Sequence, residues 1–144
     1  NPRGHSFGQP EPRPRPCEHD RWSHSKDYLY AIDLYNFAYW WEAHEVLEGL
    51  WHACGRTTTA GNFFQALIQF AAAHLKRALG NEPAAHNLVR YGLLRLKNCP
   101  TPYMGLDTEM FAQEVTEWMD NTSQPNVRIR LAHYGNGQSV HEAL

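Results

Sequence analysis

The fold of this chain depends on residues 62–79, whose sequence is NFFQALIQFAAAHLKRAL. On a helical wheel, apolar side chains occupy most of the circumference of this stretch: Phe63, Phe64, Leu67, Ile68, Phe70, Ala71, Ala72, Leu75 and Leu79. Gln65, Gln69 and Lys76 form a separate polar stripe. Because a helix that is apolar on most sides must be covered on most sides, we predict that it lies at the centre of the domain.

Four further helices are predicted around this central one. The first is expected over residues 25–37 and the second over residues 39–53, each with a capping or stop residue at an end. A polar loop at residues 56–61 precedes the central helix. The fourth helix opens at Glu82-Pro83, and Asp107 or Thr108 caps the fifth. Five helices with short connections predict an all-α fold, a compact antiparallel bundle.

Both ends of the chain differ from this helical body. Five prolines within residues 1–24 disfavour helix and favour an extended arm: Pro2, Pro10, Pro12, Pro14 and Pro16. Residues 127–131 alternate like a strand but have no predicted partner strand, so we expect an extended tail packed on a surface. The predicted organisation is therefore a Pro-rich arm at 1–24, a helical bundle at 25–123 and a C-terminal arm at 124–144.

Composition limits the classes of function. Of the 144 residues, 42% are apolar, which is typical of one globular domain. The net charge of −2 gives no general attraction to nucleic acid or to an anionic membrane. No apolar run approaches the ~18 residues of a membrane span, and no signal peptide is recognised. The irregularly spaced Cys17, Cys54 and Cys99 match no disulfide or zinc pattern, so reduced thiols and a cytoplasmic location are expected.

The second predicted helix carries the densest set of chemically functional side chains, in the segment WEAHEVLE at residues 41–48. At about 100° per residue, His44 and Glu48 lie side by side at the edge of the apolar arc, with Trp41 beside them. An imidazole and a carboxylate four residues apart suit zinc, iron or manganese. The pair equally suits a structural role, in which the two side chains bond each other and a neighbouring indole N–H.

The central helix offers partners for this pair. His74 falls inside its apolar arc, where a third metal ligand would have to lie if His44 and Glu48 face inward. The alternative is a histidine whose hydrogen bonds are satisfied within the core. Gln65 and Gln69 suit either a bound ligand or an oligomer interface. The complete predicted site comprises a general base, Glu45, three ligand-binding residues, Trp41, Gln65 and Gln69, and three metal ligands, His44, Glu48 and His74.

Two segments also resemble a known family. Residues 34–51, LYNFAYWWEAHEVLEGLW, resemble the first signature of the helical family catalogued as domain of unknown function 309. Residues 63–74, FFQALIQFAAAH, resemble its second signature, and Gly80-Asn81 its third, although Ala66 stands where the family usually has glycine. The resemblance implies a compact helical fold, often oligomeric. It implies no activity.

Two hypotheses about function fit these residues. The first is a metal or small-molecule site between the second and third helices, with a divalent transition metal as the cofactor and metal-assisted hydrolysis as its catalytic form. The alternative is a non-enzymatic module that binds a protein partner or a second copy of itself through its arms. Nucleic-acid binding is disfavoured by the neutral body, although both arms carry arginines: Arg13, Arg15, Arg21, Arg128 and Arg130.

Overall fold

The computed structural model describes residues 17–132; residues 1–16 and 133–144 lie outside that range. A short 3₁₀ helix at His19–His24 leads into five α-helices, and the described residues contain only isolated bridges in place of strands. The predicted all-α class is confirmed. The helices are α1 (Lys26–Asn36), α2 (Trp40–Cys54), α3 (Thr59–Ala78), α4 (Glu82–Leu96) and α5 (Thr108–Asp120).

Side-chain caps set the starts of most of these helices. In each, an oxygen of the capping side chain accepts a hydrogen bond from the backbone N–H three residues later, which satisfies an otherwise unpaired donor. One cap corrects the sequence analysis: Thr58 starts α3 at Thr59, within the stretch predicted as a loop. The caps of α1, α3, α4 and α5 are Ser25, Thr58, Asn81 and Asp107.

Helix α3 lies at the centre, as predicted. Each α-helix packs against the next along the chain, and α3 has its most extensive contacts with α2 on one side and α4 on the other. Phe63, Phe64 and Phe70 of α3 are completely buried. Because burying one such side chain contributes about 1.5–3 kcal/mol, this helix supplies a large part of the hydrophobic stabilisation.

The contact between α3 and α4 is unusually close at one point. A Cβ atom added to Gly92 on α4 would lie 2.4 Å from Cε1 of Phe70. The Phe70 ring also packs edge-on against Phe111 of α5, with ring centroids 5.6 Å apart. Phe70 thus packs against both α4 and α5, and the lack of a side chain at Gly92 leaves the space that the Phe70 ring occupies.

After a turn at residues 121–124, the chain runs back over the bundle to residue 132 without forming a helix or a strand. Val127, Ile129 and Leu131 are buried, while the intervening residues are exposed. The Asn36 amide pairs with the backbone of Ile129, donating to its carbonyl at 2.8 Å and accepting from its N–H at 2.7 Å. The predicted tail therefore packs on the body through its alternating apolar residues. Residues 133–144 of the predicted arm lie outside the described range.

At the N-terminal side, the structure describes only residues 17–24 of the predicted arm. Cys17 is buried, and the 3₁₀ helix begins two residues later, at His19. The Pro-rich residues 1–16 lie outside the described range. The three cysteines are unpaired, as predicted, and burial raises the pKa of the Cys17 and Cys99 thiols to about 11. No helix within residues 17–132 has the length and apolar content to cross a membrane.

We expect Gly92→Ala to destabilise the fold by about 1–3 kcal/mol, because the added methyl group overlaps the Phe70 ring. In a helix without this contact, the same substitution stabilises by up to about 1 kcal/mol. The sign of the change in the free energy of unfolding, measured by urea denaturation, distinguishes the two cases. A variant as stable as the wild type would contradict the close contact.

Candidate functional site

Packing of α2 divides its side chains between two faces. Trp40, Ala43, Leu47 and Leu50 are buried against the bundle. Trp41, Glu45, Glu48 and His52 follow one another at helical spacing on the opposite side. Trp41, Glu48 and His52 are exposed and Glu45 is half-buried. We call Trp41, His44, Glu45 and Glu48 the acidic–aromatic face of α2.

Trp41 is the most prominent side chain of this face. It is 56% exposed, although tryptophan carries the largest apolar surface of any residue. Its ring stacks on the imidazole of His44, with centroids 5.5 Å apart and an angle of 8° between the planes. His44 is half-buried, and its Nδ1 atom has no hydrogen-bond partner among residues 17–132. The stacked imidazole limits the freedom of the indole while leaving much of it open to solvent.

The surroundings of Trp41 are acidic and aromatic. Glu42, Glu45 and Glu48 all lie on α2, which contains no lysine or arginine. Phe37 and Tyr39, in the turn from α1 to α2, are 56% and 57% exposed. The sequence predicts Phe37 within a helix and Tyr39 at a helix start, and it predicts neither as a surface residue. Their signal was the dense aromatic run at residues 37–41.

His74 occupies a different environment from the other predicted metal ligands. It is 2% exposed and lies between the rings of Trp40 and Trp118, at centroid distances of 4.4 and 4.2 Å. Its Nδ1 atom donates to the Phe70 carbonyl at 2.8 Å, and its Nε2 atom accepts from the Val127 N–H at 3.4 Å. Both nitrogens are therefore engaged, with the proton on Nδ1.

This arrangement fixes the charge of His74 as well as its position. Burial lowers its pKa to about 4, and the nearby positive charge of Arg77 acts in the same direction, while the bond to Phe70 opposes them. A second proton on Nε2 would face the Val127 N–H, so two donors would meet. His74 is accordingly neutral at physiological pH and acts as a structural element.

The predicted three-residue metal set is not assembled. The imidazole of His74 has no free nitrogen to offer, and residues 17–132 contain no group of three His, Cys, Asp or Glu side chains that could hold a metal ion. The alternative structural role would have His44 and Glu48 bond each other and a neighbouring indole N–H. In this arrangement too, His44 Nδ1 and the Trp51 indole N–H have no hydrogen-bond partner among residues 17–132. Glu45 as a general base stays a prediction.

The two predicted glutamines lie on α3, on the same helix face as Asn62. Asn62 precedes Gln65 by three residues and Gln69 by seven, so the three share one face of α3. Asn62 accepts a hydrogen bond from Arg95 of α4 at 3.2 Å. Gln65 and Gln69 are both half-buried, and the Oε1 atom of Gln69 is buried without a hydrogen-bond partner among residues 17–132.

Arg77, for which the sequence predicts no role, connects α3 to the C-terminal end of α5. Arg77 of α3 donates to the Trp118 and Met119 carbonyls at 2.6 and 3.1 Å and forms two bonds to Glu82. Its guanidinium carbon lies 3.8 Å from the centroid of the Trp118 ring. Arg77 thereby satisfies the C-terminal carbonyls of α5 and lowers the pKa of the Glu82 carboxyl.

Comparison with known proteins gives one family and no curated relative. Residues 28–88 match the family model described as "Domain of unknown function (DUF309)". The match covers α1, α2 and α3 and the beginning of α4, and it includes the acidic–aromatic face and His74. Trp118 and Val127, which hold His74 from the other side, lie beyond it. No curated protein matches the chain.

We expect His74 to make the fold sensitive to mild acid. Its folded pKa of about 4 lies below the usual value of 6.5, so the unfolded chain takes up a proton first as the pH falls. The stabilisation is complete above pH 6.5 and is lost between pH 6.5 and 4, by about 3 kcal/mol in total. Urea denaturation of the wild type across this range should show the loss.

His74→Phe keeps an aromatic ring between the tryptophans but cannot titrate. The variant should be less stable than the wild type at pH 7.5, because the Val127 N–H loses its acceptor, and its stability should change less with pH. His24→Phe, a substitution at an exposed histidine, serves as the matched control. Equal pH dependence in the wild type and His74→Phe would contradict the assignment.

Proposed function

We propose that the chain, whose residues 28–88 match the family model described as "Domain of unknown function (DUF309)", is a non-enzymatic protein-interaction module whose contact surface is the acidic–aromatic face of α2. The observation that carries this proposal is the exposure of Trp41. Its indole is more than half open to solvent and stacked on His44, and Glu45 and Glu48 follow on the same face of the helix. An exposed tryptophan held by a neighbouring ring is typical of a binding surface.

The shape of the surface favours an extended polypeptide as the ligand. From Trp41 to His52, the outer side of α2 is open over about 16 Å. Small molecules bind in enclosed pockets, where most of their surface is covered. An open helix face of this length instead suits a segment of several residues lying along it.

The chemistry of the surface indicates the character of that segment. An indole ring binds the guanidinium of arginine through its π face, and it also packs against proline rings in an extended, polyproline-like chain. Glu45 and Glu48 lie four and seven residues after Trp41, and arginine forms paired hydrogen bonds with carboxylates. We therefore expect the ligand to be a basic, proline-containing peptide.

A capped decapeptide of alternating proline and arginine is a direct probe of this surface. It should bind the full chain, with a shift in the indole N–H resonance of Trp41, and bind more weakly in 0.5 M salt because the charges are then screened. Trp41→Ala should weaken binding by about tenfold, as expected for one aromatic contact of 1–2 kcal/mol. Isothermal titration calorimetry gives the affinities.

The control variants distinguish binding at this surface from non-specific binding of the peptide. Tyr91→Ala removes an aromatic residue of similar exposure, 59%, from α4 and should leave the affinity unchanged. The double variants Glu45→Lys/Glu48→Lys and Glu109→Lys/Glu117→Lys change the net charge equally. Because Glu109 and Glu117 lie on α5, the second variant should weaken peptide binding much less than the first. Equal losses in Trp41→Ala and Tyr91→Ala, or equal binding of a proline–glutamate peptide, would overturn the proposal.

A further inference from the structure

We infer that Cys17 and Cys54 form a redox-active dithiol, which a small disulfide such as oxidised glutathione converts into a disulfide bond between the two residues. Cys17 and Cys54 are 37 positions apart in a sequence whose cysteines follow no recognisable pattern, and the fold brings them to one cleft. This activity goes beyond the proposed function and does not depend on the acidic–aromatic face.

The cleft has a volume of about 430 Å³ and lies at the C-terminal end of α2, where Cys17 and Cys54 both line it. Burial is the main cause of the raised pKa of Cys17, and the charge of Cys54 adds to it, so the two side chains lie close enough to interact. Thiol–disulfide exchange requires this arrangement, because a mixed disulfide formed on one sulfur must be within reach of the other.

Contacts of the 3₁₀ helix hold Cys17 at the cleft. The imidazole of His19 stacks on the ring of Tyr103, with centroids 5.8 Å apart and 10° between the planes. Trp22 packs so closely on Gly105 that a Cβ atom added there would lie 2.6 Å from its Cζ2 atom. Because these contacts position Cys17 within the folded domain, the effective concentration of its thiol at the cleft is high.

The two thiols differ in how readily an external molecule reaches them. Cys54 is half-buried, whereas Cys17 is 5% exposed and its Sγ atom donates to the Glu18 carbonyl at 3.8 Å. The pKa of Cys17, about 11, keeps this thiol protonated at neutral pH, and the thiolate is the attacking form. Cys54 therefore reacts first with the small disulfide, and Cys17 reacts afterwards with the adjacent mixed disulfide, where proximity offsets its small thiolate fraction.

The third cysteine is placed differently. Cys99 is half-buried and absent from the lining of the cleft, and its Sγ atom donates to the Thr59 carbonyl at 3.8 Å. Burial raises its pKa to about 11 without a contribution from either of the other two thiols. Cys99 is thus a matched control, since it has a similarly raised pKa but no thiol beside it.

The exchange proceeds in two balanced steps. The Cys54 thiolate attacks one sulfur of oxidised glutathione, the S–S bond of glutathione breaks, and one glutathione thiolate leaves. Cys17 then loses its proton, and its sulfur attacks the Cys54 sulfur and expels the second glutathione thiolate. The two thiolates that leave take up the two protons, so one protein disulfide forms and one glutathione disulfide is reduced to two thiols.

The test incubates the full chain in a glutathione redox buffer and maps the thiols by alkylation and mass spectrometry. In the wild type we expect a disulfide between Cys17 and Cys54, with Cys99 free. Cys17→Ser should accumulate the mixed disulfide on Cys54, because the second thiol is missing. Cys54→Ser should react with glutathione about tenfold more slowly than the wild type, and Cys99→Ser should form the disulfide at the wild-type rate.

Concentrated urea distinguishes pairing within the fold from pairing in an unfolded chain. At a fixed ratio of reduced to oxidised glutathione, the ratio of disulfide to dithiol should be about tenfold higher in the folded protein than in urea, because unfolding disperses the two residues over a long loop. An equal or lower ratio in the folded protein would overturn the inference. So would a bond that includes Cys99, or a wild type that stops at the mixed disulfide or does not react.

Discussion

The bundle depends most on the contacts of one imidazole. His74 packs between Trp40 of α2 and Trp118 of α5, edge-on to Tyr35 of α1, and bonds the extended segment at Val127. A single neutral side chain on α3 thus contacts three other helices and the returning tail. A buried group with two ring faces and two bonding nitrogens suits this position, because an aliphatic residue would leave the Val127 N–H unpaired.

The packing of His74 in the core also fixes the orientation of the outer surface of α2. Because Trp40 is fixed against His74, α2 cannot rotate about its axis without losing that stack, and its outer residues are held in place. Trp41 follows Trp40 directly, lies about 100° from it around the helix, and is 56% exposed. Two adjacent tryptophans therefore serve opposite purposes: the first fixes the helix to the core, and the second is presented to solvent.

Much of the fold was predictable from the sequence, because apolar periodicity and caps are local signals. The central position of α3 follows from its wide apolar arc, and the cap of α5 is predicted as Asp107 or Thr108, of which Asp107 forms the bond. The cap formed by Thr58 is not predicted, because this residue lies within a stretch of threonines and glycine that is typical of a loop. The role of His74 does not follow from the sequence, because two of its partners, Trp118 and Val127, lie 44 and 53 residues away and only tertiary packing brings them to it. Arg77 gave no local signal for the same reason.

The pairing of Asn36 with Ile129 has a consequence for how the chain is assembled. The amide of Asn36 imitates a neighbouring strand, offering one donor and one acceptor to a segment that reaches it over the exposed residues 121–126. Residues 127–131 are therefore attached as a tethered ligand: covalent connection sets their local concentration, and non-covalent contacts determine how often they are bound. Their contacts act at a fixed local concentration, so the last part of the domain contributes stability as a bound ligand does.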